Sequence, residues 1–534
     1  MTSQSSLLND LLPEIFPIVA SLLPLHATPS TLLSLALVNK HTASIVLPLV
    51  YSRLILKNED DALKVIQKLL DEPELGKVVR ELHILSDLSV ATRNGERPFD
   101  VVRGLEKVIA AGSLPYIHTL GLELLTGWHY DDEFEAVEGF GELRREFWEA
   151  LRKNCPRLRG LVLRDIADNE EDPWLEESGL LEIQDITSLT VKFKELTLNK
   201  SSGEKLVKSI ASLSNSLHTL NLAPNSTDFV SVSPIFAFDF PSLRSLSLAT
   251  LSLGTTEEAM AFWERHPTIE YLNIVDADWK APWFTNNLPN SFLPRLKHLK
   301  AHFKDVRSLA PILHQLVSLT VYESINAQVP YLLRSVLPDG LPHLKALSIE
   351  QSPSASSKNV NNEGSLWYET AEGEFKEVKV HKGSRSVVDG YIHSIARGAP
   401  NIEELSFPSY SIDVAEFVRV PFQLLLIAPS NFESQANIAD ELAALSKLQR
   451  FYHSGMSTSL SDISEEEREA VLASVQILAE AYPSLTTVVD TSSVNLPFVT
   501  ARIARDGEGK VSKVDLGTGY GVLIGNDDEA FPRL

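Results

Sequence analysis

"FPSLRSLSLATL", residues 240–251, sets a proline before leucines at 243, 246 and 248, the pattern Pro-x-Leu-x-x-Leu-x-Leu. It returns as "CPRLRGLVLRDI" (155–166), "HPTIEYLNIVDA" (266–277), "LPHLKALSIEQS" (341–352) and "APNIEELSFPSY" (399–410). Proline cannot continue a helix and biases its predecessor toward extended geometry, so it marks a switch from helix to strand. Leu246 and Leu248, two apart, point to one side of that strand, and Ser245, Ser247 and Ala249 to the other. A half-buried strand is predicted.

The first apolar position of the motif recurs at Ile117, Leu158, Phe193, Leu217, Leu243, Ile269, Leu296, Leu316, Leu344 and Ile402, and more weakly at Val79, Leu448 and Leu485. From Phe193 to Leu344 the separations are 24, 26, 26, 27, 20 and 28 residues, inside the period of leucine-rich repeats. Helix signals lie between motifs. Thr255 with Glu258 forms a capping box ahead of Ala259, Phe262 and Trp263; Ser201 with Glu204 precedes Leu206, Ile210 and Leu213; Ser464 with Glu467 precedes Leu472, Val475, Leu478 and Ala479. Leu143, Phe147 and Leu151 make a further helix before Pro156.

Strands stack at about 4.8 Å, whereas helices need about 8–10 Å, so an array of such units bends with its strands inside. The predicted fold class is α/β: an N-terminal three-helix domain over 8–57, then a curved leucine-rich-repeat solenoid over 58–495, parallel strands inside and helices outside. An inserted loop is expected at about 351–385, with a hairpin around Glu372 and Gly373, and an irregular segment, 496–534, capping the last edge. The strand side would present Tyr271, Asn273, His298, Lys300, His302, Tyr322 and Glu350, a polar and aromatic set suited to a protein ligand. Plain solvation is the alternative for each.

The N-terminal segment departs from the repeat. "LLPEIFPIVASLLPLHATPSTLLSLALVNKHTASIVLPLVYSRLIL" (11–56) has Leu12, Pro13, Glu14 and Ile15, then Leu32, Leu33, Leu35 and Val38, and closes on Tyr51 with Leu54 and Leu56. Pro13 suits a first helical turn, with Ile15, Ile18, Val19 and Leu22 on one side of that helix. Pro17 predicts a kink or early end there. Ser30 or Thr31 is placed to cap a second helix running to about Lys40, and a third covers about 42–47. Three helices this short cannot bury all these apolar side chains among themselves, which predicts an exposed hydrophobic surface.

That segment resembles an F-box, and its combination with a following leucine-rich array is similar to fungal members of that family; Thr42 stands where many members carry tryptophan. The resemblance implies a substrate-recognition subunit of an SCF-type cullin-RING ubiquitin ligase. Leu12, Pro13, Ile15, Val19, Leu33, Val38 and Tyr51 would meet the adaptor subunit, and the array would hold a protein substrate. The alternative is a non-catalytic leucine-rich-repeat scaffold whose N-terminal helices only cap the array.

The chain's 48 Lys and Arg against 71 Asp and Glu give a net charge of −23, which repels phosphate backbones and anionic lipid. Neither nucleic acid nor membrane is an expected partner. Acidic residues gather at 130–138 and 168–177, more often solvated faces than sites. One cysteine, Cys155, excludes an internal disulfide and suits a reducing compartment, cytoplasm or nucleus. The start of the chain lacks the basic region of a secretory signal. His129 near Asp131 and Asp132, and His298 with His302, bring no third ligand at a metal-site spacing. "GTGYGVLIG" (517–525) lacks the lysine and helix of a phosphate loop. No catalytic residue, metal or cofactor is expected.

Overall fold

The computed structural model describes residues 13–22, 28–56, 59–87, 99–125, 143–166, 179–193, 201–224, 231–248, 251–275, 282–286, 288–323, 328–337, 339–351, 365–369, 375–379, 394–406, 445–453, 465–490 and 498–519. They form two compact units, Met1–Ser252 and Leu253–Leu534. Both are mixed α/β, with helices and strands alternating along the chain.

The first unit begins with three helices, α1 (Ile15–Leu22), α2 (Thr28–Ala36) and α3 (Lys40–Ser52). Helix α1 runs past Pro17 to Leu22. The proline occupies the first turn, where amides have no intrahelical acceptor. Helix α2 starts earlier and ends sooner than the sequence indicated, because Asn39 caps α3: its side chain accepts from the amide of Thr42 at 2.8 Å. The three helices share a small core of Phe16, Leu32 and Val46.

Helix α3 leads directly into β1 (Arg53–Leu56). This strand, which the sequence reading left in the N-terminal domain, opens a sheet that continues as β2 (Glu81–Asp87), β3 (Thr119–Leu125), β4 (Gly160–Ile166), β5 (Ser188–Phe193), β6 (Thr219–Pro224) and β7 (Ser245–Ser247), all parallel and in chain order. Between β1 and β2 the chain is helical. This stretch contains α4 (Glu59–Asp71), whose Ala62, Ile66 and Leu69 are buried.

In the second unit β8 (Tyr271–Asn273), β9 (His298–His302), β10 (Ser318–Glu323) and β11 (Ala346–Gln351) run parallel. A separate antiparallel pair joins β12 (Ser365–Glu369) and β13 (Phe375–Lys379), and the expected turn at Glu372 and Gly373 lies outside the described residues. The main sheet resumes through β14 (Glu404–Ser406), β15 (Arg450–His453) and β16 (Thr487–Asp490). It ends in an antiparallel hairpin, β17 (Phe498–Arg505) and β18 (Val511–Gly519), paired to β16. Residues 352–364 and 520–525 lie outside the described residues.

The motif leucines do the predicted work. Leu246, Leu248, Leu272, Leu299 and Leu319 are buried. In the first unit Leu161, Leu163, Leu189 and Val191 line one small apolar cavity with Leu206 and Leu213 of the helix Ser201–Leu213. Thr255 caps the helix Thr256–Arg265, its Oγ1 accepting from the Glu258 amide at 3.2 Å. One frame was misplaced. Phe193 is the last residue of β5, and the position equivalent to Leu217 is Ile186, 1% exposed.

A hydrogen-bond ladder holds each unit's strand starts. The residue just before a strand offers its carbonyl to two successive amides of the next repeat: Arg80 to His118 and Thr119, His118 to Arg159 and Gly160, Arg159 to Thr187 and Ser188, and so to His218 and Arg244. The second unit repeats the device from Glu270 through Lys297, Val317, Lys345, Glu403 and Gln449. These bonds are 2.6–3.2 Å long and keep the repeats in register.

Candidate functional site

Two places carry the residues picked from sequence, one in each unit. In α1–α3 the core takes Phe16 from the first helix, not the face of Ile18 and Val19. Those two are 60% and 36% exposed. On α2 the core takes Leu32, Leu35 and Ala36, leaving Leu33 and, in the turn after the helix, Leu37 and Val38 at 47%, 87% and 52% exposure. On α3 it takes Val46 and leaves Leu47 outside at 39%. Among the described residues the only other exposed large apolar side chain is Tyr116. Fully covering any one of these aliphatic side chains is worth about 1.5–3 kcal/mol, so a surface of this kind favours a partner.

The sequence-derived set maps onto this surface in part. Val19, Leu33 and Val38 belong to it, Pro13 is exposed in the turn before α1, and Ile15 is half-buried. Tyr51 is half-buried and faces α4, its ring 5.6 Å from Lys68 Nζ. Leu12 lies outside the described residues. Sequence reasoning did not place Leu37 and Leu47 on the surface, although their spacing from Leu33 and Val46 carried the signal.

The second place is the polar face of β8–β11. Register puts Tyr271, His298 and Ser318 in one row, Asn273, Lys300, Thr320 and Ser348 in the next, and His302, Tyr322 and Glu350 in a third. His298 Nδ1 lies 3.0 Å from Ser318 Oγ. Lys300 Nζ is 3.9 Å from Glu350 Oε1 and 5.4 Å from the centre of the Tyr322 ring, against which His302 packs edge-on at 5.7 Å. Burial, then the Glu350 carboxylate, push the Tyr322 hydroxyl well above its usual range.

This face is not the solvated surface the alternation predicted. Asn273 is 0% exposed, Lys300 7% and His302 6%. Thr190, Asn221, Ser247, Thr320 and Ser348 are buried in the same way. Side chains in register on adjacent parallel strands shield one another, and the middle row of each strand is closed first. Tyr271, His298, Tyr322 and Glu350 remain partly accessible.

Among the described residues no three His, Cys, Asp or Glu side chains gather as a metal site, and no helix is long and apolar enough to cross a membrane. His129, Asp131 and Asp132, and the acidic stretches 130–138 and 168–177, lie outside the described residues. Cys155 is 3% exposed, and burial pushes its thiol up to about 12, which makes it a poor nucleophile.

No family model matches the chain, and comparison with curated proteins finds no relative.

Proposed function

We propose that this chain is a substrate receptor of an SCF-type cullin-RING ubiquitin ligase. Helices α1–α3 act as an F-box that docks the adaptor subunit. The strand-and-helix repeats that follow hold a protein substrate. The chain selects and positions; partner subunits perform the transfer, in cytoplasm or nucleus.

One observation carries the reading. Ile18, Val19, Leu33, Leu37, Val38 and Leu47, six of the seven exposed large apolar side chains among the described residues, fall between residues 18 and 47. A domain that only covered the end of an array would turn these residues onto the array. Here the trio already packs its own core of Phe16, Leu32 and Val46, and these six side chains stay exposed.

The test is copurification of the adaptor with the tagged full-length chain. Leu37→Asp plus Val38→Asp changes two exposed residues, so circular dichroism of the variant should match the parent while the adaptor is lost. Adaptor that never copurifies, or that stays with the variant, returns α1–α3 to a capping role in a scaffold protein.

A further inference from the structure

The carbonyl ladder fixes one residue at the start of each strand, and the two units use that position differently. In the second unit it holds both signs of charge, and they neutralise each other: Lys297 Nζ is 3.2 Å from Glu270, and Lys345 Nζ is 3.1 Å from Glu403. In the first unit the same positions before β2–β7 are Arg80, His118, Arg159, Thr187, His218 and Arg244. Thr187 is the one member that carries neither a guanidinium nor an imidazole. Arg159, His218 and Arg244 are exposed, and Arg80 and His118 half-exposed.

Arg157, two residues before Arg159, enlarges the column. The exposed Tyr116 ring has the Arg80 guanidinium 5.3 Å and the Arg157 guanidinium 4.6 Å from its centre. Among the described residues none of Arg80, Arg157, Arg159 and Arg244 makes an ion pair. Arg80 and Arg159 each donate to two backbone carbonyls of their own turn, which steadies the side chains without neutralising them. The nearby acid Glu81 already accepts from Nε and Nη2 of Arg53, at 2.5 and 2.8 Å. Asp185, exposed ahead of Thr187, is the acid at the β5 step. The charges are crowded enough to act on their neighbour: burial first, then Arg80 and Arg157, lower the pKa of His118.

We propose that the strand starts of β2–β7 form a docking column for an acidic, extended segment of a partner protein, whose Asp and Glu carboxylates bridge Arg80, Arg157, Arg159 and Arg244. Five strand steps of about 4.8 Å span about 24 Å, which an extended peptide rising about 3.3 Å per residue covers with roughly seven residues. Arginine forks suit carboxylate and phosphate oxygens. A nucleic acid fits less well. The chain's net charge of −23 opposes a polyanion far more than a short peptide, and two guanidinium groups already lie against the Tyr116 ring that would stack a base. This inference does not depend on the ligase reading.

The experiment is fluorescence anisotropy on the full-length chain with labelled peptides of about seven residues, one rich in glutamate, one carrying phosphoserines and one with glutamine in their place, and with an oligothymidylate. The glutamate peptide should bind, more weakly as salt rises, and the glutamine peptide should not; a phosphoserine peptide that binds while the glutamate peptide does not would overturn the proposal in favour of phosphate. Arg159→Glu plus Arg244→Glu should weaken binding by roughly 10-fold or more with an unchanged circular dichroism spectrum. Lys304→Glu plus Lys447→Glu, the same charge change in the second unit, should leave it unaltered. The proposal fails if neither anionic peptide binds, if both variant pairs weaken binding equally, or if oligothymidylate binds more tightly than either peptide.

Discussion

His83 makes the stability of the first unit depend on pH in a window where few other groups titrate. Its ring lies over Gly121 of the next strand, so close that a Cβ there would sit 2.1 Å from Nδ1, and the residue is 1% exposed. Burial, followed by the Arg53 and Arg164 guanidinium groups, lowers its pKa to about 3 from an ordinary 6.5. A depressed imidazole pKa means that the unfolded chain binds the proton first. The stabilising contribution is therefore complete above pH 6.5 and is lost as pH falls from 6.5 toward 3. The loss runs at about 1.4 kcal/mol per pH unit, or about 2 kcal/mol by about pH 5, before most carboxylates titrate. Urea unfolding followed by circular dichroism, on the parent and on His83→Gln, isolates the effect because every other histidine is common to both. The parent should lose about 2 kcal/mol more than the variant between about pH 6.5 and 5. A histidine ring-carbon NMR signal that is absent from His83→Gln should stay at its neutral shift across that range. Parallel stability profiles, or a titration midpoint near 6.5, would refute the reasoning.

Two further outcomes follow from packing. Gly121→Ala places a methyl group against the buried His83 ring and should cost about 1–3 kcal/mol; adding His83→Ala removes the clash, so a double-mutant cycle should show strong coupling, and additive losses would disprove the contact. Thr42 is fully buried and, among the described residues, its hydroxyl has no hydrogen-bond partner. Thr42→Val keeps the shape and should stabilise by about 1 kcal/mol, read as a higher melting temperature; a lower one would mean that the hydroxyl is satisfied.

Repeats were legible where a proline and three leucines occurred together, because each residue type has a single mechanical task there. The weak candidates Val79, Leu448 and Leu485 are buried at the same repeat position as Leu243. The β5 frame was missed because "ITSLTV" (186–191) has no proline ahead of it and only one leucine, whereas Leu196 and Leu198 beyond Phe193 resembled the motif more closely. At the N-terminus, "RLIL" (53–56) is too short to show strand alternation, so β1 was absorbed into the helical domain. The closed polar face could not be read at all. Whether Asn273 is covered depends on Lys300, 27 residues later in the chain and directly beside it in the sheet.

Net charge shows the same limit of one-dimensional reading. A total of −23 averages over the whole chain, but at physiological ionic strength exposed charges are largely screened beyond about 8 Å. A peptide lying along the starts of β2–β7 therefore responds chiefly to the guanidinium groups it touches, whatever the sum elsewhere. Composition argues against partners that meet the whole field at once, such as a long duplex or a membrane. It says little against a short acidic segment placed in register with Arg80, Arg159 and Arg244. Only the ladder shows that these residues, dispersed over more than 160 positions of sequence, occupy equivalent positions on one edge of a sheet.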